Sequence, residues 1–196
     1  MVSPPGRPLH RYTYAEYVAL EQESPTKHEF LDGEIYAMAG GSEDHSAIAA
    51  NVISALVVAV GDRPCRVHTS DLRLYVEAVG FATFPDVTVI CGPLQQHASS
   101  PVATALNPLV LVEVTSDSSE DHDTGGKLTA YRTIPSLAAY VVVSHRERRV
   151  TVHQREAGAP AAAWTTEEAR AGGRVGLVAL AATLEVDAIY RHSAIA

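Results

Sequence analysis

Phe84-Pro85-Asp86-Val87-Thr88-Val89-Ile90 and, further on, Leu109-Val110-Leu111-Val112-Glu113-Val114 decide how this chain is read. Each stretch places one carboxylate among residues that otherwise read as a buried strand. Taking an ionised carboxylate out of water costs on the order of several kcal/mol unless a positive group repays it. Asp86 and Glu113 therefore ask for a shared cation, read here as a divalent metal. A strand reverses side-chain direction at every residue, so Glu113 faces opposite to Val112 and Val114 and can meet a residue of a neighbouring strand. If that neighbour begins at Val87, the two carboxylates can share one ion. Mg²⁺ keeps several waters and needs only one or two protein carboxylates, and one of those waters can act as nucleophile.

Working outward, Thr13-Tyr14-Ala15-Glu16 fits a capping box with Tyr12 and Tyr17 placed as a hydrophobic staple. It predicts a helix over 14–23, ended by Ser24-Pro25. In His28-Glu29-Phe30-Leu31-Asp32-Gly33-Glu34-Ile35-Tyr36 the Asp-Gly pair predicts a hairpin whose tight turn needs positive φ. Ser42 or Asp44 can cap a second helix, whose residues Ile48, Val52, Ile53, Leu56, Val57 and Val60 face a core before Gly61. Residues 65–69, 72–76 and 82–90 read as strands, 92–108 as a loop and 109–114 as a central strand. The acidic stretch 115–126 precedes a helix over 127–133, and 139–144 and 149–154 read as strands. Residues 156–173 suggest a surface hairpin anchored by Trp164, and 177–190 a closing strand or helix. The pattern is an α/β (α+β) domain with a central mixed β-sheet flanked by helices and no internal repeat or linker.

The 196 residues, 46% hydrophobic, suffice for one domain spanning 1–196, with a loose proline-rich leader over 1–11. Met1-Val2-Ser3-Pro4-Pro5-Gly6 lacks the apolar core of a signal peptide, and no apolar run is expected to reach the roughly 18 residues that span a bilayer. A cytoplasmic protein without a membrane partner is the expectation. Cys65 and Cys91 form no Cys-x-x-Cys and are expected as buried thiols. The net charge of −8 opposes binding to a phosphate backbone. Bound metal would offset part of it, and Arg63, Arg66 and Arg73, then Arg146, Arg148 and Arg149, cluster locally.

Several segments in order carry a resemblance that covers most of the chain. They are Tyr14 to Tyr17, the His28 to Tyr36 hairpin, Ser42 to His45 with Asn51, Phe84-Pro85-Asp86-Val87, Leu111-Val112-Glu113-Val114-Thr115-Ser116, Asp123 to Tyr131, Pro135, and Tyr140 to Val143. Together they resemble the Uma-type restriction endonuclease family of the PD-(D/E)XK, restriction-endonuclease-like superfamily. The resemblance implies a restriction-endonuclease-like core, Asp86 and Glu113 as ligands of Mg²⁺ or Mn²⁺, Glu29 as a further acidic member, and a lysine near the scissile phosphate. The superfamily pattern expects that lysine two residues after the glutamate, where Thr115 stands. The resemblance implies that Lys127, from the following helix, takes the role. It also implies nucleic acid, DNA first, as the partner, and a homodimer by analogy with nucleases that cut both strands.

Structural readings stand beside these. Pro-Asp before a strand also serves as a turn, Glu113 can pair with Arg73 in a closed core, and Glu29 can be a polar hairpin residue. His45 caps or packs the second helix or, under the resemblance, orients a ligand. Asp117, Glu120, Asp121 and Asp123 are expected on a solvated loop, and His122 with His97, His145 and His153 matches no zinc set. No glycine-rich phosphate loop or Gly-x-Ser-x-Gly elbow occurs. The expected function is metal-dependent hydrolysis of nucleic-acid phosphodiesters by Glu29, Asp86, Glu113 and Lys127. Its rivals are a non-catalytic binding or assembly domain and a hydrolase of small nucleotides.

Overall fold

The structure, a computed structural model, describes residues 10–98, 100–117, 119–120, 122–155 and 163–196. The capping box forms: Thr13 Oγ1 accepts from the Glu16 amide at 3.2 Å, and the Glu16 carboxylate accepts from the Thr13 amide at 2.7 Å. It starts α1 (Tyr14–Glu23). β1 (His28–Leu31) and β2 (Glu34–Ala37) make the expected hairpin, with Asp32 at φ +48° and Gly33 at φ +81°. Arg11, expected in the loose leader, pairs with the Asp32 carboxylate at 2.6 Å, while residues 1–9 lie outside the described residues.

α2 (Glu43–Val60) runs from the Ser42 cap to Gly61 and buries Ile48, Val52, Leu56 and Val60. Val57, expected in that stripe, is 52% exposed, because one residue beyond Leu56 lies roughly 100° round the helix. With 18 residues at a hydropathy of 1.3, α2 reaches the length and apolarity of a bilayer span, which the sequence was not expected to do. In this fold its buried stripe instead packs on a sheet.

β3 (Cys65–Thr69), β4 (Arg73–Val76), β5 (Phe81–Thr83), β6 (Val87–Cys91), β7 (Thr104–Ala105) and β8 (Val110–Val114) follow. A π-helical turn (His122–Gly126) enters α3 (Lys127–Tyr131), succeeded by β9 (Ala139–Val143), β10 (Arg149–Arg155) and β11 (Trp164–Arg170). The chain closes with β12 (Arg174–Leu177), β13 (Ala182–Glu185) and α4 (Val186–Ile189). One five-stranded sheet has the order β2-β1-β5-β4-β7, and a six-stranded sheet the order β11-β10-β9-β8-β6-β3. Both are mixed, through the parallel pairs β4–β7 and β8–β9.

The strand expected over 82–90 is two strands in different sheets, because Pro85 has no amide to give a ladder and the chain crosses there from β5 to β6. β8 is interior and buried at every residue, as its apolar run requires. Val110, Val112 and Val114 pack under α2 and the C-terminal segment. On the opposite face Leu111, Tyr140 and Val142 meet Leu74 and Phe81 of the five-stranded sheet and Tyr131 of α3. Glu113, by alternation, joins that second face. Cys65 and Cys91 are not free thiols: they are register partners on β3 and β6, half-buried, and joined by a disulfide. Of the hairpin expected over 156–173, residues 156–162 lie outside the described residues, and β11 pairs with β10 instead of with a strand inside that stretch; Trp164 lies 5.5 Å and 5.1 Å from the Arg132 and Arg155 guanidinium carbons.

Candidate active site

The antiparallel register that pairs Val87 with Val112 continues to set Asp86 opposite Glu113. Asp86 Oδ2 accepts from the Val114 amide at 2.8 Å and lies 3.2 Å from His45 Nε2, so part of the turn-and-cap reading of this aspartate holds as well. Hydrogen bonding to Asp86 raises the His45 pKa against the opposing effect of burial. Gly41 makes room for that ring, since a Cβ there would stand 2.5 Å from His45 Nδ1. His45 thus orients Asp86 besides opening α2.

Glu113 is 4% exposed and does not meet Arg73. Arg73 is itself buried, donates to Thr104 Oγ1 at 3.2 Å, and lies over the rings of Tyr17 and Phe84. The cation beside Glu113 is Lys127, at the start of α3, with Nζ 3.1 Å from Glu113 Oε1, 3.0 Å from Glu29 Oε1 and 3.0 Å from Asp123 Oδ1. Tyr131, one turn along α3, donates to the same Glu113 oxygen at 2.8 Å. Thr83 donates to Glu29 at 2.6 Å.

Burial pushes the Glu113 carboxyl up to about 8; Lys127 opposes that shift, and Asp123 and Asp86 add to it. Burial also works against charge on Lys127, but Glu113, Asp123 and Glu29 outweigh it and raise the ammonium's pKa. Four carboxylates thus share one ammonium and one imidazole.

Asp123 and Tyr131 are the site residues that sequence reasoning missed. Asp123, expected on a solvated loop, is 1% exposed, turned inward by the π-helical turn, with its carbonyl accepting from Tyr140 at 2.9 Å. Its separation of four residues from Lys127 was a usable signal; its burial was not visible. Asp117 and Glu120 behave as expected of surface acids and pair with Arg146, whereas Asp121 lies outside the described residues. Thr115, at the superfamily's lysine position, is not among the residues lining the cleft and makes a 2.7 Å hydrogen bond with His145 Nδ1.

Glu29, Asp86, Glu113, Asp123, Lys127 and His45 all line one cleft of about 1100 Å³, walled by the β2–α2 connection, α2 and the turn between β3 and β4. All four residues expected at the site are therefore brought together. Of the two arginine clusters, Arg73 is buried, Arg146, Arg148 and Arg149 pair with Asp117, Asp187 and Glu147, and Arg63 and Arg66 are exposed, Arg63 donating to the Val60 carbonyl at 3.1 Å.

Among the described residues no three His, Cys, Asp or Glu side chains form a ready-made metal cluster. The donor set still suits a hard cation that brings its own waters. On Glu113 the protein's bonds fall on Oε1, and on Asp86 they fall on Oδ2, so each carboxylate keeps its second oxygen for a ligand.

A family model described as "Uma2: Putative restriction endonuclease" matches residues 14–187. The uncharacterized protein slr1290 of Synechocystis sp. is 30% identical over 187 residues, covering 95% of each chain. Its uncharacterized protein sll1609 is 34% identical over 143 residues, covering 73% of this chain and 80% of the relative. The crystal structure of "a putative nuclease belonging to DUF820" from Anabaena variabilis superposes with a TM-score of 0.70 at 20% identity, over 89% of this chain and 95% of that one. That likeness establishes a shared fold.

Proposed function

This chain belongs to the Uma2 restriction endonuclease family, and from that membership and the cleft we propose that it hydrolyses phosphodiester bonds of nucleic acid, DNA first, as a metal-dependent endonuclease. The observation that carries the reading is the pairing of Asp86 with Glu113 across β6 and β8, each with one carboxylate oxygen left to a ligand, beside Lys127 in an open cleft.

Asp86 and Glu113 would hold Mg²⁺ or Mn²⁺, which supplies Lewis-acid polarisation of a phosphate and a more acidic bound water. The protein's own groups prepare that place. His45 and the Val114 amide fix Asp86 through Oδ2. Tyr131 and Lys127 fix Glu113 through Oε1. Glu29 and Asp123 hold the Lys127 ammonium at the cleft floor, where it can face negative charge developing on the phosphate.

One observation favours the rival reading of a catalytically silent binding module. Lys127 already serves three carboxylates, so its charge is largely spent inside the protein. Cleavage of supercoiled plasmid in Mg²⁺ and then Mn²⁺ separates the two, with natural protein and Glu113→Gln purified alike and shown to be folded. The nuclease reading expects nicking by the natural protein and a loss of about a hundredfold or more in the variant. Intact plasmid with both folded proteins turns the assignment to the binding module.

A further inference from the structure

The cleft's reactive groups lie deep and its walls are apolar, a combination that bears on which form of nucleic acid it accepts. Glu113 and Lys127 are each 4% exposed and Asp123 is 1% exposed. A phosphate must therefore come down to them. A regular duplex carries its phosphates on the outside of a stiff cylinder and is held mainly by many Lys and Arg contacts. Here the described lining contains only Lys27 and Lys127 as Lys or Arg, and Lys27 is engaged by Ser70 and by Asp71 at 3.0 Å. The rest of the wall offers apolar and aromatic surface: Tyr36, 49% exposed on β2, then Met38, with Ala50 and Ile53 of α2. Unpaired bases stack on such surfaces, whatever their sequence.

We propose that the cleft accepts a single strand, an unpaired segment whose phosphate reaches the Asp86–Glu113 pair while a base lies against Tyr36 and Met38. The proposal rests on the nucleic-acid reading above for the class of ligand. It goes beyond that reading in assigning unpaired strand over duplex and Tyr36 as a binding residue. Tyr36 also donates to Glu34 on its own strand, which steadies the ring at the cleft mouth.

Binding tests this without cleavage. The anisotropy of a labelled single-stranded 12-mer is titrated with natural protein in EDTA and again in Mg²⁺, against the same sequence as a blunt duplex and against mononucleotide as competitor. The expected result is single-strand binding at least tenfold tighter than duplex, a loss of about tenfold in Tyr36→Ala, and retention in Tyr36→Phe, which keeps the stacking face. With two lysines at most in contact, the slope of log K against log salt should be no steeper than roughly −1.4. Equal or tighter duplex binding, indifference to Tyr36→Ala, mononucleotide competing as well as the strand, or no binding of either form overturns the proposal. Single-strand binding with no cleavage in Mg²⁺ or Mn²⁺ would leave this inference standing and remove the nuclease reading. Duplex cleavage without single-strand preference would do the reverse.

Discussion

Glu29, Glu113 and Asp123 converge on the Lys127 ammonium from β1, β8 and the π-helical turn; Lys127, Glu113 and Asp123 are buried there, while Glu29 is half-buried at the cleft. Removing one member of a buried ionic group leaves the others uncompensated, a loss of about 3–5 kcal/mol. Lys127→Met, which keeps the length of the aliphatic stem, is therefore expected to lower unfolding free energy by that amount in urea titrations. A loss below about 1 kcal/mol would mean that the three acids find other partners or take up protons. Burial also decides which of these residues stand out in the sequence. Asp86 and Glu113 stand out because a carboxylate in an apolar run costs energy that must be repaid. Asp123 stands among Asp117, Glu120 and Asp121, and Tyr131 in a short amphipathic segment, where no such cost is visible from the sequence. Their roles emerge only when the π-helical turn brings them under β8.

Local chemistry fixes the elements whose signals are short in range. The Thr13–Glu16 box, the Asp32–Gly33 turn and the Ser42 cap each form where the residues require them. Long-range pairing is less legible. Ala82 to Ile90 reads as one strand, yet Pro85 divides it between two sheets, and this crossing sets Asp86 at the cleft. The two cysteines, read as thiols for want of any spacing motif, meet only because β3 and β6 pair in a register that sets Cys65 opposite Cys91. Their bond spans a sequence separation of 26 residues, for which the loss of unfolded-state entropy corresponds to roughly 3.5 kcal/mol. Guanidinium unfolding with and without a thiol reductant should show a drop approaching that value, with activity per folded molecule unchanged. Identical midpoints would show that the bond contributes no stability.

The two sheets border a cleft in which four carboxylates surround Lys127 and His45, within a chain of net charge −8. An overall negative protein repels a polyanion, so a nuclease of this charge needs cations at the point of contact more than a basic one does. If Asp86 and Glu113 bind a divalent ion in the folded state alone, saturation stabilises that state by RT ln(1 + [L]/Kd), about 2.7 kcal/mol at a hundredfold excess over Kd. For a chain of this length each kcal/mol moves the melting temperature by about 2–4 °C. Titration with Mg²⁺ or Mn²⁺ is thus expected to raise the Tm by roughly 5–11 °C, while Asp86→Asn shifts far less and NaCl at equal ionic strength gives no such rise. Because the readout is a folding equilibrium, it reports the ion whether or not a substrate has been found. A Tm that stays fixed in both ions would remove the metal from the mechanism and leave Lys127, Lys27 and His45 as the positive groups of the described lining with which the cleft could meet a phosphate.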